Sequence, residues 1–420
     1  MNLRDLTIAS GGDTVKMTGV ISMPGASTGT PSSVGYKGSF ALNSQTIECA
    51  VDVKVANRPM ITVDLKAGTL DLDKLQTRGA APARPAAPAR GQPAAASAAG
   101  TPIDTAPMRG ADASVKLVAA TLISGPLRIN NADLAVALKD GVLTLQHFKG
   151  SLYGGALAFS GTIDGSKPAL AIALKGDANN ISLGEMLRGM NGSNQFGSAV
   201  KVTIDGQLSA TGIAINGAGS TSEQIKSSLS GGAQLGGHIL VGADKALTMI
   251  GSAAAGAVGG VIDNTLGSVL GAVGQKGGVG AGNMLNAISL VLNRFVNHDS
   301  PISGRVDIAG GVLTDKALVV QGNKAAAHIS TRTNLSASTT DTTINFTIAE
   351  DGSAPYLITT ARGPMSSPSL NVTRGTAKDP PGMVNTLTNA IPGIGGGGGS
   401  SGGGQQAPSI IPKLPNLFGR

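Results

Sequence analysis

The chain has 420 residues, 62 of them Gly, with no Trp and only 2% aromatics, so any core must be built from Ala, Val, Leu and Ile rather than large rings. Gly at this density between short alternating aliphatic runs points to many strands with frequent turns. Part of the net charge of +7 sits in a Pro/Ala segment that holds Arg78, Arg84, Arg90 and Arg109 against Asp104 alone, and with so few rings for base stacking the chain does not read as nucleic-acid binding.

Residues 1–78 read as a β unit, the end of a larger N-terminal region: the chain starts abruptly at Met1-Asn2-Leu3-Arg4-Asp5, and no signal peptide opens it. Val51, Val53 and Val55 alternate with Asp52 and Lys54, and Cys49, the only cysteine, sits between Ile47 and Val51 as a small apolar residue. Arg58 to Leu75 (RPMITVDLKAGTLDLDKL) and Lys167 to Leu187 (KPALAIALKGDANNISLGEML) share a Pro, an alternating run ending in Leu-Lys and a closing helical turn. They form an internal repeat with an offset of about 110 residues, within the size of one domain. Residues 79–110 are Pro/Ala-rich and read as an extended linker, either a spacer between β units or a tolerated surface insertion.

Residues 111–245 form a second β unit. Val142–Phe148 reads as a strand ending near Lys149-Gly150, and Ser151–Gly155 as a turn. Leu157, Phe159 and Ile163 then alternate with small residues, as do Leu170, Ile172 and Leu174 with alanines. Ser182 and Glu185 have capping-box spacing for a short helix, and residues 219–230 read as another. Residues 246–300 are Ala/Gly-rich and then amphipathic. The stretch 246–274 reads either as two short helices on the β structure or as a membrane-crossing pair; Asp263-Asn264 at mid-span and the shortness of each half count against crossing. Met284, Leu285, Ile288, Leu292 and Phe295 mark a helix over 283–297. Residues 301–375 are a C-terminal β unit, and 376–420 a Gly/Pro tail that reads as disordered.

No reaction centre emerges. His147, His238, His298 and His328 lie apart, none at metal-ligand spacing, and His298-Asp299 reads as a solvated loop pair. Asp71 and Asp73 beside Lys74 read as a solvated edge, and no nucleophile elbow or phosphate loop stands in a strand-to-helix context. The chain therefore reads as non-enzymatic, with no cofactor and no metal. What remains is a long set of strands with one aliphatic face, which is either the core of a closed sandwich or barrel, or the lining of a sheet that curls without closing. In the second case the fold is mainly β: an elongated, curled antiparallel sheet forming an apolar groove, with a few short helices. Its lining candidates are Leu143, Leu145, Leu157, Phe159, Ile163, Leu170, Ile172, Leu174, Val202, Ile204, Ile344, Phe346 and Ile348. A five-residue strand spans about 17 Å, close to the roughly 15 Å of hydrocarbon in one leaflet, so such a groove could hold an acyl chain.

Several motifs resemble the C-terminal region of the AsmA family of Gram-negative envelope proteins. They are Asp140-Gly141-Val142-Leu143-Thr144-Leu145, Leu152-Tyr153-Gly154-Gly155-x-Leu157, Gly161-Thr162-Ile163-Asp164-Gly165, Ser182–Leu187, Gly212–Gly231 and Arg362-Gly363-Pro364-x-x-x-Pro368, with Arg58–Leu75 as a preceding repeat. The resemblance covers most of residues 40–375 outside the linker. It implies an elongated β groove in the periplasm, held to the inner membrane by an N-terminal helix that this chain lacks. It also implies a role in outer-membrane biogenesis, with phospholipid or another acyl lipid as the partner, moving between inner and outer membranes. The alternative it offers is an assembly factor that targets or inserts outer-membrane proteins through β-edge contacts.

Overall fold

The computed structural model describes residues 2–10, 13–24, 32–42, 45–75, 102–191, 195–196, 202–243, 287–288, 290–348 and 354–379. Most of the Pro/Ala linker, the stretch 246–274, residues 283–286 and the tail from 380 onward lie outside them. The fold is mainly β, and the sheet does not close into a barrel. The chain divides into two compact units: one built on Met1–Ile181 with Thr211–Gly232 and Ile308–Gly311, the other on Ser182–Ala210, Ala233–Asp307 and Val312–Arg420.

The first unit opens with five strands in antiparallel succession: β1 (Asn2–Ser10), β2 (Asp13–Ser22), β3 (Ser33–Leu42), β4 (Gln45–Lys54) and β5 (Met60–Asp71). A short helix, α1 (Leu72–Leu75), follows, capped by the Asp71 carboxylate, which accepts from the amides of Asp73 and Lys74. After the linker and α2 (Ala106–Gly110), β6 (Asp112–Ser124) runs parallel to β5. This departs from the purely antiparallel expectation, because the intervening chain returns to the end of the sheet where β5 began. Antiparallel order then resumes through β7 (Leu127–Lys139), β8 (Val142–Leu152), β9 (Gly155–Asp164) and β10 (Leu170–Ser182). Arg58 clamps the parallel junction, 2.7 Å from Asp112 and 2.8 Å from Asp140.

Asp140-Gly141 and Tyr153-Gly154 each have two successive positive φ values, the backbone that two-residue hairpins need, and so set the tight β7–β8 and β8–β9 connections. β8 runs to Leu152 rather than stopping near Gly150. A register shift between Leu145 and Phe148 inserts an extra residue, breaks the alternation visible in the sequence, and returns Phe148 to the apolar side. β10 leads into α3 (Leu183–Asn191), where Ser182 Oγ accepts from the Glu185 amide, as the capping box predicts. A strand followed by a capped helix thus occurs at β5, beginning at Met60, and again at β10, beginning at Leu170.

The remaining elements are β11 (Gln195–Phe196), β12 (Val202–Gly219), α4 (Ser222–Ser228, capped by Thr221), β13 (Ser230–Ala243), β14 (Asp299–Ala309), β15 (Val312–Gly322), β16 (Ala325–Asn334), β17 (Thr339–Ile348), β18 (Leu357–Pro364) and β19 (Ser369–Arg374). β15 to β19 form an antiparallel meander in the second unit. Residues 287–288 and 290–293 are helical, where the amphipathic helix is expected. Ala287, Val291 and Phe295 from this stretch join Val320, Ala325, Ala327, Ile348, Tyr356 and Leu357 in one buried cluster. Phe295 meets Phe346 edge-on at 5.9 Å.

Candidate functional site

In the first unit the pairing register places aliphatic side chains in continuous cross-strand rows. One row runs Ile21, Tyr36, Val51, Val63, Val115, Val136, Leu145, Gly161, Leu174. The next runs Val34, Val53, Ile61, Ala113, Leu138, Leu143, Ile163, Ile172. On the other side of the first row come Gly19, Gly38, Cys49, Leu65, Leu117, Leu134, Phe148, Phe159 and Gly176. Beyond these, Met17, Phe40, Ile47, Ala67, Ala119 and Ala132 make a fourth. Because side chains alternate, all four rows share one face.

The opposite face is polar and charged. Glu48 lies across from Lys66, Asp64 from Lys116 and Asp133 from Lys149, opposite charges in directly paired positions. A shallow depression of about 350 Å³ on this face is lined by Ser22, Lys37, Asp52, Thr62 and Asp64, among others.

The two ends of the apolar face differ in cover. Leu72 and Leu75 of α1 pack on the fourth row, where Ile47, Ala67 and Ala119 are buried together with Leu70, Leu117 and Leu122. In the first two rows every residue is only half-buried. Tyr36 folds over the small spot left by Gly19 and Gly38, its hydroxyl donating to the Thr18 and Ser39 carbonyls. Cys49 is buried in its row, and burial pushes its thiol pKa up.

The sequence-derived lining residues fall into two sets. Leu143, Leu145, Leu157, Phe159, Ile163, Ile172 and Leu174 come together on the apolar face just described, with Leu170 on the same side of β10 at its start. Ile344, Phe346 and Ile348 lie on β17 in the second unit. There Ile348 is fully buried in the core cluster and the other two pack against it, beneath the helical residues. Ile204 is half-buried on β12, and Val202 lies on β12 with its side chain outside the described residues. Sequence reasoning left Tyr36, Val51, Val53, Ile61, Val63, Val115, Val136 and Leu138 off the lining, although their alternation carried the same signal.

The polar side chains form local pairs. Asp164 accepts from the Ser166 hydroxyl and amide, which hold its carboxyl below the usual range. Asp307 is held low by Lys316 and Arg305. His147 pairs with Asp133 at 3.1 Å, and Asp299 pairs with His238 rather than with its neighbour His298. Among the described residues no group of three or more His, Cys, Asp or Glu gathers where a metal could be held. Among them, too, no helix is long and apolar enough to cross a membrane.

The AsmA family profile matches residues 38–237, from within β3 to within β13. Over that span the chain is similar to the AsmA family. The match takes in β4 to β10 whole, and with them most of the half-buried face. AsmA proteins are associated with the cell envelope and with lipid and membrane roles. The AsmA match ends before β14 to β19, so the Arg362–Pro368 resemblance lies beyond it. No curated protein and no solved structure matches the chain.

Proposed function

We propose that this AsmA-like chain is a non-enzymatic envelope protein that binds the acyl chains of phospholipid along the apolar face of β2 to β10 and supports outer-membrane biogenesis by moving lipid between the inner and outer membranes. The observation that carries the reading is the one-sidedness of that face. Apolar rows, interrupted only by glycines, run across strands whose other face is charged, and the rows away from α1 stay half-exposed. Each Å² of apolar surface left in water forgoes about 25 cal/mol, so an aliphatic face kept open over many strands is best explained by an apolar occupant. With strands about 4.8 Å apart, β2 to β10 span roughly 38 Å, room for several acyl chains side by side.

The reading puts the protein in the periplasm. Its test is extraction and mass spectrometry of protein purified from its native envelope under mild conditions. Phospholipid in near-stoichiometric or higher amount is expected. Lipid-free protein that crosslinks along its strand edges to outer-membrane proteins would count against lipid carriage and for an assembly role.

A further inference from the structure

Resting on the lipid-binding reading, we propose that the apolar face of the first unit is polarised: acyl tails point toward α1, and the lipid phosphate sits at the opposite rim beside Lys54, Lys139 and Lys167. The two ends of the same strands differ in kind. At the α1 end, Leu72 and Leu75 close over the row containing Ile47, Ala67 and Ala119, so a chain entering there meets packed hydrocarbon. At the other end Val53, Ile61, Leu143 and Ile172 are all half-exposed, and α2 sits at the turns, with Met108 against Gly165 and Arg109 against Gly141 and bonded to the Gly165 carbonyl.

That open end carries cations with nothing to neutralise them at contact. Lys54 ends β4, Lys139 ends β7, and Lys167 lies in the β9–β10 connection; all three are exposed. Lys54 and Lys139 make no ion pair with any described residue. Lys167 has only a longer-range attraction to Asp164, whose carboxylate is taken up by Ser166. Of the other acids at this end, Asp112 and Asp140 are both engaged by Arg58 and Asp104 accepts from the Ala106 amide, while Asp52 stands two residues before Lys54 on the charged face without an ion pair among the described residues. At the α1 end Lys74 is tied to Asp71 at 3.4 Å, and Lys16 and Arg128 are exposed without an ion pair among the described residues, on strands β2 and β7 that stand far apart in the sheet. The three lysines stand two to three strands apart, about 10–15 Å at the usual strand spacing, which makes a row of phosphate stations along the rim rather than one pocket. A flexible four-carbon stem lets each ammonium reach round a strand end to the mouth of the face. From the Val53–Ile172 row to the covered row is three steps of two residues, about 20 Å, enough for the roughly 15 Å of hydrocarbon in one leaflet.

The test uses the full chain loaded with phosphatidylglycerol that carries a photoreactive diazirine either at the acyl terminus or on the headgroup. After irradiation and digestion, acyl-terminus adducts are expected on peptides containing Phe40, Ile47 or Leu72–Leu75, and headgroup adducts on residues 54–58, 139–141 and 164–168. In the Lys54→Glu/Lys139→Glu variant, whose changes lie on exposed strand ends, affinity for phosphatidylglycerol falls at least about fivefold per lysine while thermal unfolding stays unchanged. Lipid that binds with both probes marking the same peptides, or with the pattern reversed, overturns the polarity. Wild-type protein that takes up neither probe overturns the lipid-binding reading itself, a separate and recognisable failure.

Discussion

Neighbouring residues on β10 offer a clean comparison. Ile172 lies opposite Ile163 on the apolar face, and Ala173 lies opposite Thr162 on the polar one. Ile172→Asp removes a half-buried aliphatic side chain. Full burial of Ile is worth about 1.5–3 kcal/mol, so the expected loss of stability is about 1 kcal/mol. Its effect on lipid is larger. A carboxylate facing hydrocarbon costs its desolvation unless it takes up a proton. The chain lying across that row also loses contact with two to three methylenes at about 0.8 kcal/mol each, together about 2 kcal/mol or a thirtyfold drop in affinity. Ala173→Asp, exposed on the other face, should change stability by no more than about 0.5 kcal/mol and leave lipid untouched. The assay is lipid per mole of purified protein by mass spectrometry, paired with displacement of a fluorescent acyl lipid. Equal loading of the two variants, both folded, would refute the idea that the face of β10 carrying Ile172 meets lipid.

The second unit yields two further predictions. Phe295→Ala removes a ring that is 6% exposed and packed edge-on against Phe346, and a loss of about 3–5 kcal/mol is expected in denaturant unfolding of that unit; a shift under 1 kcal/mol would mean that the helical stretch does not hold the core together. The Tyr356 hydroxyl donates to Asp379 at 2.8 Å, and Arg374 stacks on the Tyr356 ring while bonding Asp379 at 2.7 Å. The Tyr356 bond, then Arg374, depress the Asp379 pKa below its ordinary 3.8. A carboxylate with a lowered folded pKa gives its stabilisation in full above the unfolded value and loses it as pH falls through the folded one. The near-UV tyrosine signal from Tyr356 should therefore hold steady above about pH 4.5 and fade only in stronger acid, with the acid limb flattened in Asp379→Asn. An acid limb unchanged in that variant would show that another group drives it.

Much of this architecture was legible in the chain. Period-two alternation at Leu170, Ile172 and Leu174 marks β10 and its apolar side, and Ser182 with Glu185 marks the start of α3. Hairpin glycines at 141 and 154 mark the turns because only their φ values allow them. Two kinds of information were hidden. The extra residue between Leu145 and Phe148 broke the alternation, so β8 looked shorter than it is. Cover was not legible at all: Ile348 and Ile172 look alike in sequence, yet one is sealed beneath helical residues and the other half-open. Alternation says which side of a strand is apolar, whereas what lies on top of that side depends on chain distant in sequence.

The parallel step between β5 and β6 is where a continuous apolar face is most easily lost. Within a hairpin meander, short turns hold the register, but a crossover of about forty residues imposes none by itself. A slip of one residue would set Val63 against Ser114 and turn the aliphatic rows from β6 onward to the charged side. The structure instead pairs Ile61 with Ala113, Val63 with Val115 and Leu65 with Leu117, and both strands skip one residue together between Ala67–Ala119 and Thr69–Thr121. Two devices fix this alignment, one at each end. Arg58 grips Asp112 at the first residue of β6, and the Asp73 carboxylate accepts from the Gly125 amide just past its last. A linker as long and as poor in large apolar side chains as the Pro/Ala stretch is tolerable because it does not have to set the register; the clamps at its two ends do. Extending or shortening that stretch should leave the apolar rows aligned, whereas Arg58→Ala combined with Asp73→Ala should loosen β6 first.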